Sequence, residues 1–413
     1  MSSREFDLIL FGATGFVGRL TAEYLTTALP EGARVAIAGR TIEKLVDTRA
    51  ELGPIAANWG LVVADSSDPT SLAAMAARTK VVVTTVGPYL RYGRGLVGAC
   101  AAAGTHYADL TGEPLFIHDI VERYEGIALE TGAKIVNSCG YDSIPSDLSV
   151  YEIYRATVAD DTGELEDTTL VASLKGGMSG GTIDSGRAMM EDVAADGKRA
   201  RILAHPYSLS PDRALEPDLG RQSDQAFARA ASIDPSLDGW VTTFIMAQHN
   251  TKIVRRSNGL LGWPYGKQFR YREVMSAGRS KAAPLVAAGV AGGIVAGMAS
   301  GAVLSRVSLG RKLLDRILPK PGTGPSEAAR KSGWFQMRTF ARTSSGAKYE
   351  ATFAGKGDPG YQATAVLLGH AGLSLAFDEL PARAGILTPA AAMGEALTDR
   401  LRGAGMTIEV KRA

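Results

Sequence analysis

Over its first 140 residues the chain alternates short apolar, β-branched runs with longer stretches of helical period. Residues 6–11 read as a strand, 15–29 as a helix and 34–38 as a second strand. The series continues with a helix over 41–52, a strand over 60–63, a helix over 69–78 and a strand over 80–85. A helix over 91–103, a short strand near His106, a helix running to Glu130 and a strand over 134–137 complete it. Strands this uniformly apolar, each separated by a helix, predict a parallel sheet covered on both faces. The expectation is an α/β fold whose first domain, residues 1–145, is a Rossmann-type, doubly wound parallel sheet.

From about Asp142 the rhythm changes. Strand-like pieces over 168–174 and 240–247 lie among loops rich in Gly, Pro and Ser, which predicts a second, α+β domain over 146–380 with an antiparallel sheet. Near the end, Thr388-Pro389 places a capping residue before a first-turn proline, and 390–401 then reads as a helix. Residues 381–413 are expected to pack back on the first domain.

Composition narrows the function. With 45% hydrophobic and 21% charged residues the chain is globular rather than disordered, and its formal net charge is only +2. Two cysteines, Cys100 and Cys139, exclude a disulfide framework and a cysteine zinc site, and the five histidines are too isolated to predict a metal centre. The first residues lack the apolar core of a signal peptide, so a cytoplasmic protein is expected. Charge is uneven: residues 252–331 hold 15 lysines and arginines against Glu273, Asp315 and Glu327. No nucleic-acid motif accompanies this block, and nucleic-acid binding is not expected. Inside it, 24 uncharged residues, 282–305, carry Gly289, Gly293, Gly297 and Gly301 at four-residue spacing, one face of a helix. The segment is rich in Ala and Gly and has basic flanks. It is expected to dock on a membrane surface, a second subunit or the protein's own core rather than to span a bilayer.

The chemistry concentrates at loops after strands. Gly12-Ala13-Thr14-Gly15-Phe16-Val17-Gly18 runs from the first strand into a helix, as a dinucleotide site requires. Gly12 permits the tight turn, Gly15 lets the backbone approach a pyrophosphate, and Gly18 allows close helix packing. After the second strand, where NAD proteins carry an acid for the ribose, this chain has Gly39-Arg40. A guanidinium there suits a 2′-phosphate, which favours NADPH. Asp65, after the third strand, is placed either to touch adenine or to cap the next helix. Val86, Gly87 and Pro88 follow the fourth strand, where ligands of open α/β sheets bind, and would shape the backbone near the nicotinamide ribose. Lys175-Gly-Gly-Met-Ser-Gly-Gly-Thr182 reads either as a closing loop or as a plain strand-to-helix connection.

Taken together, these pieces resemble the saccharopine dehydrogenase-like oxidoreductases, and within them the mycobacterial trans-acting enoyl reductases. The resemblance rests on Gly12–Gly18, Val86–Tyr89, Tyr107–Glu113, Gly140–Asp147, Gly180–Thr182 and Leu387–Ala392. It implies a Rossmann domain, a second α+β domain and a C-terminal helix returning to the first. The implied activity is NADPH-dependent reduction of a carbon–carbon double bond in a polyketide-derived, lipid-like intermediate of the phthiocerol dimycocerosate or phenolic glycolipid type. The implied partner is a polyketide synthase or its acyl carrier domain. A homodimer and peripheral contact with the inner face of the plasma membrane stay open. Reduction of an imine or ketone, and non-catalytic NADP binding by a membrane or interaction protein, are the alternatives. Enoyl reduction needs donors at the enolate oxygen and a proton for the α-carbon. Candidates on the loops that would ring the nicotinamide are Tyr89, Tyr92, Asp109, Tyr141, Asp142 and Ser143, with Ser143 or Ser146 alternatively serving as a helix cap.

Overall fold

The computed structural model describes residues 4–176, 180–220, 222–223, 226–290, 292 and 324–413, with the backbone only at 182 and 183. The first seven-stranded sheet has the order β13-β6-β5-β4-β1-β2-β3 and is parallel throughout. Its strands are β1 (Phe6–Phe11), β2 (Val35–Gly39), β3 (Gly60–Val63), β4 (Thr79–Thr84), β5 (His106–Ala108), β6 (Lys134–Val136) and β13 (Gly385–Leu387). Alternation along β1 divides two cores. Leu8 and Leu10 pack with Ala22 and Leu25 of α1 (Phe16–Ala28) and with Leu367, Leu368 and Ala371 of the late helix α11 (Thr364–Phe377). Ile9 and Phe11 face the other way, towards α3 (Pro69–Ala77), α4 (Tyr89–Ala103) and α5 (Pro114–Thr131). With both faces covered, every residue of β1 is buried, which explains the apolar run Leu8–Phe11; Asp7, at its start, is paired with Arg34 and Lys80. Helix α2 (Ile42–Glu51) completes the wound half.

The second seven-stranded sheet has the order β14-β12-β11-β7-β10-β9-β8. It contains β7 (Leu165–Lys175), β8 (Phe227–Arg229), β9 (Trp240–Thr243), β10 (Arg270–Gly278), β11 (Trp334–Thr343), β12 (Lys348–Lys356) and β14 (Thr407–Arg412). It is mixed rather than wholly antiparallel, because β7 and β10 run parallel. Helix α6 (Ile144–Ala159) leaves the end of β6 and packs its Ile144 and Leu148 into the core that both sheets share. Helices α7 (Gly180–Ala195) and α8 (Gly197–Ala204) lie on the first domain, held by Arg91–Glu191 and by Arg199, which bridges Asp119 and Asp192.

Several expectations need correction. The strand expected over 240–247 stops at Thr243, and α9 (Ala247–Leu260) begins where it was to end. That helix is buried along most of its length despite its polar sequence. Its Lys252, Arg255 and Arg256 are therefore not part of a basic surface; Arg256 is 1% exposed and donates to the carbonyls of Leu209 and Ile386. The C-terminal segment does not return as one helix. It supplies β13 to the first sheet and β14 to the second, and its helix breaks at Gly394 into α12 (Pro389–Ala392) and α13 (Gly394–Gly403). Gly394 has φ +46° with the Tyr151 hydroxyl pressed against it. Helix α11, drawn from the segment assigned to the second domain, covers the first sheet; a Cβ at Gly372 would come within 2.5 Å of Val83. His118 is not isolated either, since Asp119 and Glu122 stand close by, but Arg94 and Arg199 already pair with the Asp119 carboxylate. Of the 282–305 segment, residues 283–290 are helical, with Leu285 78% exposed. Gly293, Gly297, Gly301 and the flank from Arg306 to Arg316 lie outside the described residues, as do 177–179 of the 175–182 loop. Among the described residues no helix is long and apolar enough to cross a membrane.

Candidate active site

The glycine loop sits where β1 feeds α1, beside the point at which strand order reverses between β1 and β4. Gly12 has φ +90°, a backbone state that side chains with a Cβ rarely adopt, and its N–H donates to Ala38 O. At Gly18 a Cβ would lie 2.1 Å from Gly12 O, so α1 can approach the loop only without one. Gly15 differs. It is exposed, and a Cβ there would meet only Gly12 O, at 3.3 Å. No side chain caps α1, so the first-turn N–H groups at Phe16 and Val17 are left for a ligand. Buried Ala13 and half-buried Thr14 carry the chain between the glycines. An open glycine over an uncapped helix start is a cradle for a pyrophosphate, and a dinucleotide fits it.

Arg40 follows β2 on the surface, and its charge contributes to lowering the Asp65 pKa. The larger causes at Asp65 are the N–H and hydroxyl of Ser67, both donated to Oδ1. Asp65 thus folds the turn before α3, while Asp68 caps that helix. Val86 and Gly87 reach towards solvent and Pro88 is buried at the start of α4. Thr85 Oγ1 donates to Gly12 O at 3.3 Å, tying this loop to the glycine loop.

The six residues suited to proton chemistry separate by their partners. Tyr89 is buried, and its hydroxyl donates to Thr84 O and accepts from Leu110 N. Asp109 is fully buried. It accepts from Thr111 N and Ser138 N at one oxygen, and from Asn137 Nδ2 and the Tyr107 hydroxyl at the other. These bonds staple the ends of β5 and β6. Ser143 donates to Asn250 Oδ1 at 2.9 Å and does not cap α6, although it occupies the capping position. Tyr141 meets Phe335 edge-on, and its hydroxyl donates to Met337 Sδ at 3.6 Å, which pins the loop after β6 to the second sheet. Tyr92 is 43% exposed on α4. Asp142 is half-buried, and no hydrogen bond or ion pair engages its carboxylate among the described residues. Burial raises its pKa to about 6.

Three neighbours had no role assigned from sequence, although Glu113 and Asp147 close two of its motifs. Glu113 is wholly buried and accepts from Tyr89 N, Leu90 N and the Ser185 hydroxyl, capping α4 and joining it to α7. Its position before Pro114 at a helix start was the available signal. His249 Nε2 lies 2.9 Å from Ser138 Oγ, and burial lowers its pKa to about 3. Asp147, buried on α6, accepts from Ser257 Oγ and Ala390 N and so holds α12 to α6 and α9. Neither His249 nor Asp147 shows a local pattern that would announce these contacts.

Comparison with known proteins agrees with this geometry. The sequence model of the saccharopine dehydrogenase NADP-binding domain matches residues 8–157. The trans-acting enoyl reductase of Mycobacterium bovis is 48% identical over 100% of this chain and 99% of its own. A Mycobacterium tuberculosis protein, whose name ascribes the same activity provisionally, is 52% identical over 99% of this chain and 98% of its own. In fold, the chain is similar to saccharopine dehydrogenase (L-Glu forming) of Saccharomyces cerevisiae, with a TM-score of 0.57 at 12% identity, over 98% of this chain and 99% of that one. The chain is an NADP-dependent oxidoreductase and belongs to the saccharopine dehydrogenase-like family, within its trans-acting enoyl reductases.

Proposed function

We propose that this chain reduces the carbon–carbon double bond of an α,β-unsaturated, polyketide-derived thioester, presented in trans by the acyl carrier domain of a polyketide synthase. Full-length identity of 48% to a named trans-acting enoyl reductase carries the reading. NADPH, held at Gly12–Gly18 with Arg40 at its 2′-phosphate, supplies the hydride. The chain's own part is to shield the reacting atoms, bind the thioester oxygen and deliver a proton to the α-carbon. Asp142 is the acid in this proposal. Its carboxyl has no partner among the described residues and its pKa of about 6 keeps a protonated fraction near neutral pH. Tyr89, Asp109 and Ser143 then act as framework, because their polar atoms are already engaged. A phthiocerol dimycocerosate or phenolic glycolipid precursor is the substrate class. A carrier-tethered substrate favours a cytoplasmic enzyme. Lipid profiling of a strain lacking the gene tests the reading. A product retaining one extra double bond is expected, and an unchanged lipid profile would count against it.

A further inference from the structure

Phe16, the residue directly after Gly15, is boxed by the second domain rather than by its own. The Tyr361 ring meets it edge-on at 5.0 Å, and a Cβ at Gly324 would come within 2.3 Å of its ring. The Arg330 guanidinium lies over its face, 5.3 Å from the centroid. Arg330 stands near the end of the short helix α10 (Glu327–Lys331). Its backbone is fixed, since its carbonyl accepts from Asp358 N at 2.7 Å.

The guanidinium itself is underused. Nη1 donates to Pro325 O at 2.9 Å, while buried Nε has no hydrogen-bond partner among the described residues. Among the described residues no carboxylate pairs with it, and the nearby acid Glu327 is taken by Lys331. Held over the Phe16 ring, the guanidinium keeps Nη2 without an acceptor among the described residues, and a free N–H pair on a permanent cation suits a phosphate oxygen. Phe16, which the guanidinium covers, is the first residue of the uncapped α1 and follows the open Gly15, where a ligand phosphate would lie.

We propose that Arg330 is a clamp from the second domain on the pyrophosphate of the bound dinucleotide. This rests on the reading of the glycine loop as the cofactor site and extends it: the site is completed by both domains. The two arginines divide the cofactor between them. Arg40 reads the 2′-phosphate that distinguishes NADPH from NADH, whereas Arg330 contacts the part common to both.

Calorimetric titration of the full chain with NADPH and with NADH tests the division. R330A should weaken both cofactors by the same factor, about tenfold or more, and leave their ratio unchanged. R330K, which keeps the charge without the planar fork, should fall between R330A and wild type. Thermal denaturation of the ligand-free variants should remain cooperative, lowered only by loss of the Phe16 contact and of the bond to Pro325 O. Unchanged binding of both cofactors by R330A and R330K would overturn the clamp alone. A loss confined to NADPH would overturn it too, by moving Arg330 to the 2′-phosphate. Failure of the wild-type chain to bind either cofactor would overturn the dinucleotide reading itself.

Discussion

The three glycines of the cofactor loop should respond differently to one added methyl group. At Gly18 the new Cβ would lie 2.1 Å from Gly12 O, 2.8 Å from its carbonyl carbon and 2.9 Å from Ala13 Cα. All three are backbone atoms, so relief requires α1 to move by more than about 1 Å to restore ordinary contact. Overpacking of this kind costs about 1–3 kcal/mol, and the upper end applies where no side chain can yield. Gly12→Ala adds about 1–2 kcal/mol of left-handed strain to contacts of 2.8 Å with Thr85 Oγ1 and Val86 Cγ2. Gly15 has φ −79° and ψ 167°, open to any residue, and its Cβ meets one atom at 3.3 Å. Gly15→Ala should therefore stay within about 1 kcal/mol of wild type. Gly15→Val should fold and yet lose at least about a hundredfold in NADPH affinity, about 2.7 kcal/mol, because its side chain fills the space of the pyrophosphate. Urea denaturation read beside NADPH titration separates the two effects. If Gly15→Ala unfolds as readily as Gly18→Ala, or Gly15→Val binds NADPH normally, the assignment of these roles fails.

Arg40→Asp should weaken NADPH far more than NADH, since it sets a like charge against the 2′-phosphate; equal losses in a titration would remove Arg40 from that role. Asp142→Asn should bind NADPH normally but abolish turnover, and wild-type kcat should fall as pH rises through about 6, where the acid loses its proton. The same raised pKa has a stability consequence. Its contribution is fully present below pH 4 and lost as pH rises through about 6, so at pH 8 Asp142→Asn should gain up to about 3 kcal/mol in urea denaturation. A destabilised variant at pH 8 would show that the carboxylate has a partner. Glu113→Gln should destabilise the fold by about 1–3 kcal/mol, because an amide nitrogen would face Tyr89 N or Leu90 N, both of which now donate to the carboxylate. Unchanged chemical denaturation would refute that capping role.

The first domain is legible in sequence because its information is local. Each strand is one apolar run between turn signals, and the observed ends of β1 and β3 coincide with those expected from pattern. The glycine loop is legible for the same reason, since spacing and strand context lie within a dozen residues. The second domain is harder because long-range contacts override the pattern. Polar α9 is buried only because Asn250 meets Glu273, Ser257 meets Asp147 and Arg256 meets carbonyls more than 40 residues away. A helix buried by hydrogen bonding leaves no hydrophobic period to find. The same limit applies at the candidate site. Tyr89, Asp109 and Ser143 look like proton donors in sequence, but only the fold shows their polar atoms already engaged. What marks Asp142 is the lack of such a partner among the described residues, which no spacing announces.

Hydride delivery from NADPH to a carbon–carbon double bond is the step on which everything above depends. It is tested most directly by incubating the purified full chain with deuterium-labelled NADPH, labelled at the transferring C4 position, and an α,β-unsaturated acyl thioester on a carrier domain. Mass spectrometry then locates the label. The expected product carries one deuterium at the β-carbon and a solvent-derived proton at the α-carbon, and Asp142→Asn should give neither. Deuterium at a carbonyl- or imine-derived carbon, or NADPH bound stoichiometrically without oxidation, would contradict it.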